Sequence, residues 1–362
     1  MQSKHLFTFA VMLMAGSALC SAQTQKSQVV ENGGSGPYKA EIVSDASLPD
    51  FTVYRPQNLR DVVAREGRLP IIVYGNGGCA NNNVEIRYFL NDVVSHGYIG
   101  IAVGPYDEED FFEHWKGVLG FMGPKGKEII LANGEKFEPK SDGNPFGGFQ
   151  PPKDAPNQEK GERPAWMKEG GKPGGAPQEG FQMPKQKPNR QLLDALDWII
   201  AQNVDPESEY YHCVDVNKVA AMGQSCGGAM ALAVAHDPRI GTLVILNSGI
   251  GDMSMQGVTP AQLENIHCPM LYLIGGPEDV AFGNAKKDYE RLGNDIPVVM
   301  INTIDGHEGT YYEKSGGKYA IAVRKWLDWQ FKGRTEESPL FLNDVFLQEF
   351  DPSWSVLRKN IQ

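Results

Sequence analysis

The sequence predicts an α/β fold, with a mostly parallel sheet covered by helices on both faces. Three observations carry that prediction. Short apolar runs recur along the chain: Ile71-Ile72-Val73-Tyr74, Tyr98-Ile99-Gly100-Ile101-Ala102-Val103, Val219-Ala220-Ala221-Met222, Leu243-Val244-Ile245-Leu246, Met270-Leu271-Tyr272-Leu273-Ile274 and Val298-Val299-Met300-Ile301. Each is apolar throughout rather than at alternate positions, which marks strands buried on both faces. Segments with helical spacing lie between several of them, and that alternation builds parallel sheets.

The elements follow in order. Residues 1–22 read as a secretory signal peptide: Lys4 and His5, an apolar core over 6–15, then small residues to Ala22, where cleavage is expected. That core is too short to span a bilayer, and no other segment approaches spanning length. A lipid anchor on Cys20 would need a small residue before it, and Leu19 is large. The expectation is a chain secreted or delivered to a periplasm, with residues 23–362 forming a single domain. Residues 38–56 suggest an antiparallel hairpin at the sheet edge. Residues 84–96 place Ile86, Phe89, Leu90, Val93 and Val94 at helical spacing, and Gly97 stops the helix. Residues 190–202 repeat the pattern through Leu193, Leu196, Ile199 and Ile200, and 318–331 make a closing amphipathic helix. The tail from 335 should dock through Trp354, Val356 and Leu357.

One stretch breaks the pattern. Residues 139–188 hold 19 Gly and Pro among 50 residues and no Leu, Ile or Val. Such a segment buries too little apolar surface to offset its ordering entropy, so a loosely held excursion is expected. It is either a tolerated surface insertion or an adhesive, lid-like segment using Phe149, Trp166 and Phe181.

Composition excludes several function classes. With 34 Lys+Arg against 45 Asp+Glu, the net charge is −11, and no basic block appears. Nucleic-acid binding is therefore not expected. A hydrophobic fraction of 41% with 22% charged residues excludes wholesale disorder. Beyond Cys20, four cysteines remain, Cys79, Cys213, Cys226 and Cys268, an even number suited to an oxidising compartment. They allow three pairings, and without a paired C-x-x-C they do not suggest a structural zinc site.

Open α/β sheets place their sites beyond the carboxyl ends of strands, so reactive residues are expected directly after each run. After Ala220-Ala221-Met222 comes Gly223-Gln224-Ser225-Cys226-Gly227-Gly228 and then a helix-prone stretch. Small residues there permit a sharp strand-to-helix turn that lifts the Ser225 hydroxyl out at a helix N-terminus. A serine needs a neighbouring base. His307, in Asp305-Gly306-His307-Glu308-Gly309, follows a strand's carboxyl end; His236 falls in the helix after Ser225, and His267 precedes a strand. The base needs a carboxylate to fix its tautomer. The run ending at Ile274 opens into Gly275-Gly276-Pro277-Glu278-Asp279, which offers Asp279, with Glu278 as its rival. An oxyanion hole needs two backbone N–H groups. One would come from Cys226, the other from Gly75-Asn76-Gly77-Gly78-Cys79 after Tyr74, where glycines permit close approach. Tyr106, Phe111, Phe112 and Trp115 follow another strand and are candidates to line a substrate pocket.

These motifs resemble those of the α/β-hydrolases, most closely the dienelactone-hydrolase, chlorophyllase and polyester-hydrolase (cutinase-like) branch. The resemblance rests on Gly223-Gln224-Ser225-Cys226-Gly227, the turn at Asp279, Gly306-His307 and Tyr74-Gly75-Asn76-Gly77-Gly78. It covers most of the chain outside the signal, insertion and tail. It implies the α/β-hydrolase fold, a Ser225-His307-Asp279 triad, no metal or organic cofactor, and a small-molecule or polymeric ester as substrate. Matching Asn76-Gly77 to the family's His-Gly pair makes Gly78 the second oxyanion donor, with Gly77 next. Dienelactone hydrolases carry a cysteine where this chain has Ser225, which favours ester chemistry. If both loops sit where that fold puts them, Cys79 and Cys226 meet beside the oxyanion hole and are candidates for a disulfide, leaving Cys213 and Cys268. A serine peptidase or acyltransferase on the same scaffold, or a degenerate hydrolase acting as a binding protein, are the alternative readings.

Overall fold

The computed structural model describes residues 26–109, 129–130, 136–137, 189–293 and 295–361. The signal segment 1–22, the 139–188 insertion, Phe111, Phe112 and Trp115 lie outside the described residues.

In chain order the described strands are β1 Lys26–Gln28, β2 Ala40–Ser44, β3 Phe51–Pro56, β4 Leu69–Gly75, β5 Ile99–Val103, β6 Ile129–Ile130, β7 Lys136–Phe137, β8 Val214–Gln224, β9 Ile240–Leu246, β10 Met270–Ile274, β11 Val298–Asn302 and β12 Ser355–Lys359. β6 and β7 pair with each other; the others form one 10-stranded sheet in the order β1-β2-β3-β5-β4-β8-β9-β10-β11-β12. From β5 through β11 every pairing is parallel. The edges are antiparallel: on one side β3 runs against β5, β2 against β3 and β1 against β2, and on the other β12 runs against β11.

The apolar runs explain why the parallel strands are central. Ile71 and Val73 of β4 enter one core, whereas Ile72 and Tyr74 enter the other; Val219 and Ala221 of β8 part from Ala220 and Met222 in the same way. The pleat sends neighbours to opposite faces, so only runs apolar at every position satisfy two cores. Fully burying each such side chain contributes about 1.5–3 kcal/mol relative to exposure. The Leu59–Glu66, Gln191–Val204, Cys226–Ala233 and Phe282–Arg291 helices cover the first face. The Arg87–Val94 and Gly317–Lys332 helices cover the second.

Two details correct the sequence reading. The tail does dock through Trp354, which is fully buried, and Val356, but Leu357 stays 49% exposed. The tail ends as β12, whose pleat sends Val356 and Leu357 to opposite faces, and at this sheet edge only the face of Val356 is covered. His236 lies in an exposed turn rather than in the helix after Ser225, because that helix ends at Ala233. Among the described residues, no helix is long and apolar enough to cross a membrane.

Topology then positions a crevice. The chain leaves β4 for β5 on one side and returns to β8 on the other. β4 and β8 therefore flank the point where strand order reverses, and loops leaving their carboxyl ends diverge to opposite faces. Ligands of open α/β sheets bind at such points.

Candidate active site

Three glycines let the two loops meet there. Gly75 ends β4 and sits in register with Gly223 of β8. A Cβ on Gly223 would lie 2.1 Å from the Gly227 carbonyl oxygen, and one on Gly227 would lie 1.9 Å from that of Gly75. The N-terminus of the Cys226–Ala233 helix thus rests directly on the β4 backbone, with no room for a side chain between them.

That contact turns the chain sharply at Ser225, whose φ of 52° and ψ of −118° are unusual for a residue with a Cβ. Such conformations cost about 1–3 kcal/mol and persist only when their surroundings hold them. Here the Ser225 amide donates to Leu246 O (2.9 Å), while Ser225 O accepts from the Ser248 hydroxyl (2.6 Å) and the Gly228 amide (2.9 Å). The hydroxyl of Ser225 emerges half-buried at the helix N-terminus.

The residues that the sequence placed at three separate strand ends come together. His307 Nε2 lies 2.9 Å from Ser225 Oγ, and His307 Nδ1 lies 2.7 Å from Asp279 Oδ1. Asp279 is 3% exposed, whereas Glu278, its rival, points to solvent. Asp279 Oδ1 also accepts the Ala281 amide at 2.8 Å, and Oδ2 accepts Gly275 N and Asn247 Nδ2, each at 2.9 Å. Burial disfavours this charge, but the hydrogen bond and charge of His307 and the two amides outweigh it, holding the carboxyl below its ordinary value. An ionised Asp279 can only accept, so Nδ1 carries the ring proton and Nε2 turns its lone pair to Ser225.

Asn247 is a site residue that sequence reading missed. Its side chain spans Asp279 and Gly306 O (2.8 Å), and its own Oδ1 accepts the Tyr311 hydroxyl at 2.8 Å. It follows β9 immediately, so the same strand-end search reaches it; an amide carries no catalytic signal by itself. Gly275 completes the support: its carbonyl accepts Gly306 N at 2.8 Å, and a Cβ there would meet Gly306 O at 1.7 Å.

The β4 loop lies beside Ser225, joined to the next residue through Cys79 and Cys226. Gly77–Cys79 forms a tight turn with Gly78 at φ 58° and Cys79 at φ 53°, closed by Ala80 N donating to Gly77 O. Asn76 Nδ2 pins the turn to Ala80 O and Val103 O. Gly77 is buried against the Gln224 carboxamide, and Gly78 is exposed. Cys226 opens its helix, where backbone N–H groups have no partner within the helix. Tyr106 is half-buried, packs on the second core and donates to Glu108 at 2.5 Å.

A disulfide joins Cys79 to Cys226, with Cα atoms 5.2 Å apart, while Cys213 and Cys268 are free and buried. The leftover pairing of those two does not form. Cys213 adjoins the start of β8 and Cys268 that of β10, with β9 between. Two strand spacings, about 9–10 Å, exceed the reach of a disulfide. The bridge closes a loop with a sequence separation of 147, and loop-entropy arguments assign such a closure about 5 kcal/mol. Cys79→Ala/Cys226→Ala is expected to lower the thermal midpoint by several degrees, measured by calorimetry against the parent. Gln256 Nε2 contacts both sulfurs and its Oε1 accepts from Asn189 Nδ2, tying the 252–258 loop to this bridge.

The loop after β9 carries a pH dependence. Asp288 accepts Ile250 N at 2.6 Å and Gly251 N at 2.8 Å, and burial raises its carboxyl to about 6. The folded chain therefore binds a proton more readily than the unfolded chain. This contribution is fully present below the ordinary carboxyl range near ~4 and is lost as pH rises through about 6. Thermal midpoints across that window should fall less with pH for Asp288→Asn than for the parent.

No protein-family profile matches the chain, and no curated protein matches it. Among the described residues, no group of three or more His, Cys, Asp or Glu side chains is arranged to hold a metal ion.

Proposed function

We propose that this chain is an exported serine carboxylic-ester hydrolase of the α/β-hydrolase type. The observation that carries the reading is the continuous relay from Ser225 Oγ through His307 to Asp279, at 2.9 and 2.7 Å. In this reading Ser225 attacks the ester carbonyl as His307 Nε2 takes its proton, and Asp279 stabilises the imidazolium. The tetrahedral oxyanion faces the amides of Cys226 and of Gly78, with Gly77 as the alternative on the same turn. His307 then protonates the leaving alcohol. Water, activated by the same base, releases the acid and restores Ser225.

The sharp turn at Ser225, the close glycine contacts and the switch-point location support this assignment. The Cys79–Cys226 bridge accords with export to an oxidising compartment. The test is direct: the purified protein should cleave short p-nitrophenyl esters, and a fluorophosphonate probe should label one peptide, with Ser225 as the modified residue. Absence of turnover together with absence of labelling would remove the proposal.

A further inference from the structure

Beside the relay lie two buried carboxyl groups that the mechanism above does not use. Glu85 sits in the Val84–Ile86 turn that leads into the Arg87–Val94 helix, and Glu308 immediately follows His307; they are 6% and 4% exposed. Their carboxyl groups lie within hydrogen-bonding reach of each other. Glu85 is equally close to the oxyanion turn, since its Oε2 would lie 3.3 Å from a Cβ on Gly77. On the other side of Gly77 stands the Gln224 carboxamide, whose Nε2 donates to His307 O at 3.1 Å.

We propose that Glu85 and Glu308 share one proton and act as positioning residues, locking the Gly77 turn to the His307 loop and setting a single negative charge beside the imidazole. The proposal rests on the hydrolase reading and adds residues to its site. Two carboxylates in contact cannot both ionise in a water-poor interior, so one keeps its proton. Burial raises both carboxyls, and Glu308 further because the charge of Glu85 faces it, which makes Glu308 the neutral donor and Glu85 the ionised acceptor. Burying such a pair does little for stability. Its location gives it a different use: it joins the two loops that must hold still while charge develops on the oxyanion and the ring.

The groups that face Glu85 are Tyr74 on β4 and His307, Glu308, Tyr311 and Tyr312 on the loop after β11. Asp279 acts on Glu308, and Arg87, two residues along from Glu85, acts on Tyr312. Of the carboxyl groups around the ring, Asp279 bonds Nδ1 and Glu85 acts on it through space.

Glu308→Gln keeps a donor towards Glu85 and the single charge. It should retain kcat/KM for a short p-nitrophenyl ester within about threefold, with an unmoved pH profile. Glu308→Ala removes the donor and should lose at least about tenfold, mainly in kcat. Glu85→Gln/Glu308→Gln removes the charge, because either carboxyl left alone could carry it, so the acid limb of the kcat/KM profile should move to lower pH by about half a unit or more. Equal losses in Glu308→Gln and Glu308→Ala, or an unmoved limb in Glu85→Gln/Glu308→Gln, would overturn the proposal. Should Glu308→Ala fail to fold, the double glutamine variant still decides through the limb.

NMR titration of the His307 ring in the parent and Glu85→Gln/Glu308→Gln proteins reads the same shift without substrate. A moved ring titration in a protein that cleaves no ester would retain the pair and reject the hydrolase reading. Normal turnover with an unmoved limb and ring would reject the pair alone.

Discussion

Ser225→Ala is expected to lower kcat on short esters by about four to six orders of magnitude while leaving the folded state intact. On the proposed mechanism the size follows from the relay: without the hydroxyl there would be no acyl-enzyme, and only water activated by the same histidine would remain. His307→Ala should fall in the same range. Asp279→Asn should cost about four orders, because a neutral amide no longer sets the proton on Nδ1. Losses of residues acting as one unit do not add, so the Ser225→Ala/His307→Ala double variant should be little worse than either alone. Glu278→Gln provides the contrast. Its side chain points to solvent at the same turn, and its kcat should equal the parent's. Circular dichroism and thermal midpoints check that each variant is folded. Turnover by Ser225→Ala within tenfold of the parent would remove Ser225 as the nucleophile.

Gly227→Ala, like Gly275→Ala, should be among the most disruptive single methyl groups in the described chain. Its Cβ would stand 1.9 Å from Gly75 O, 2.1 Å from Gly75 C and 2.7 Å from Asn76 N, all backbone atoms. No rotamer change can relieve backbone contacts, so the nucleophile helix and the β4 loop must separate. The expected cost exceeds about 4 kcal/mol, the range of severe overpacking, together with loss of turnover as the oxyanion amides part. Gly283→Ala makes the opposite prediction from the same residue change. Gly283 lies exposed in the Phe282–Arg291 helix with nothing within 4 Å of an added Cβ. Alanine there should stabilise by about 0.4–1 kcal/mol through reduced unfolded-state entropy. Denaturant midpoints of the two variants against the parent check both signs. A Gly227→Ala protein as stable as the parent would mean that the β4 and β8 loops do not pack as described.

The catalytic candidates were legible because they obey a positional rule: each follows a fully apolar run, and such runs become parallel strands whose carboxyl ends share one rim. The elements that escaped notice lack strong periodicity. The Leu59–Glu66 helix buries only Leu59 and Val62, and the Phe282–Arg291 helix only Ala285 and Asp288. Their narrow apolar stripes are hard to separate from charged loops. β12 was hidden for another reason, since one face of an edge strand is left to solvent and Leu357 remains outside the core.

By itself the sequence determined the alternation of strands and helices, the sharp turn at Ser225 and the strand ends carrying His307 and the acid, because hydrophobic period and glycine placement are local properties. Tertiary structure alone decided the rest. Asp279 rather than Glu278 meets His307, because a turn's dihedral angles choose which neighbour faces inward. Cys79 meets Cys226 while Cys213 and Cys268 stay apart, because strand order brings β4 beside β8 and puts β9 between β8 and β10. Asn247 reaches Asp279, and Glu85 reaches Glu308, across segments far apart in the chain. Those contacts depend on which strands become neighbours, and no local pattern of residue types encodes that.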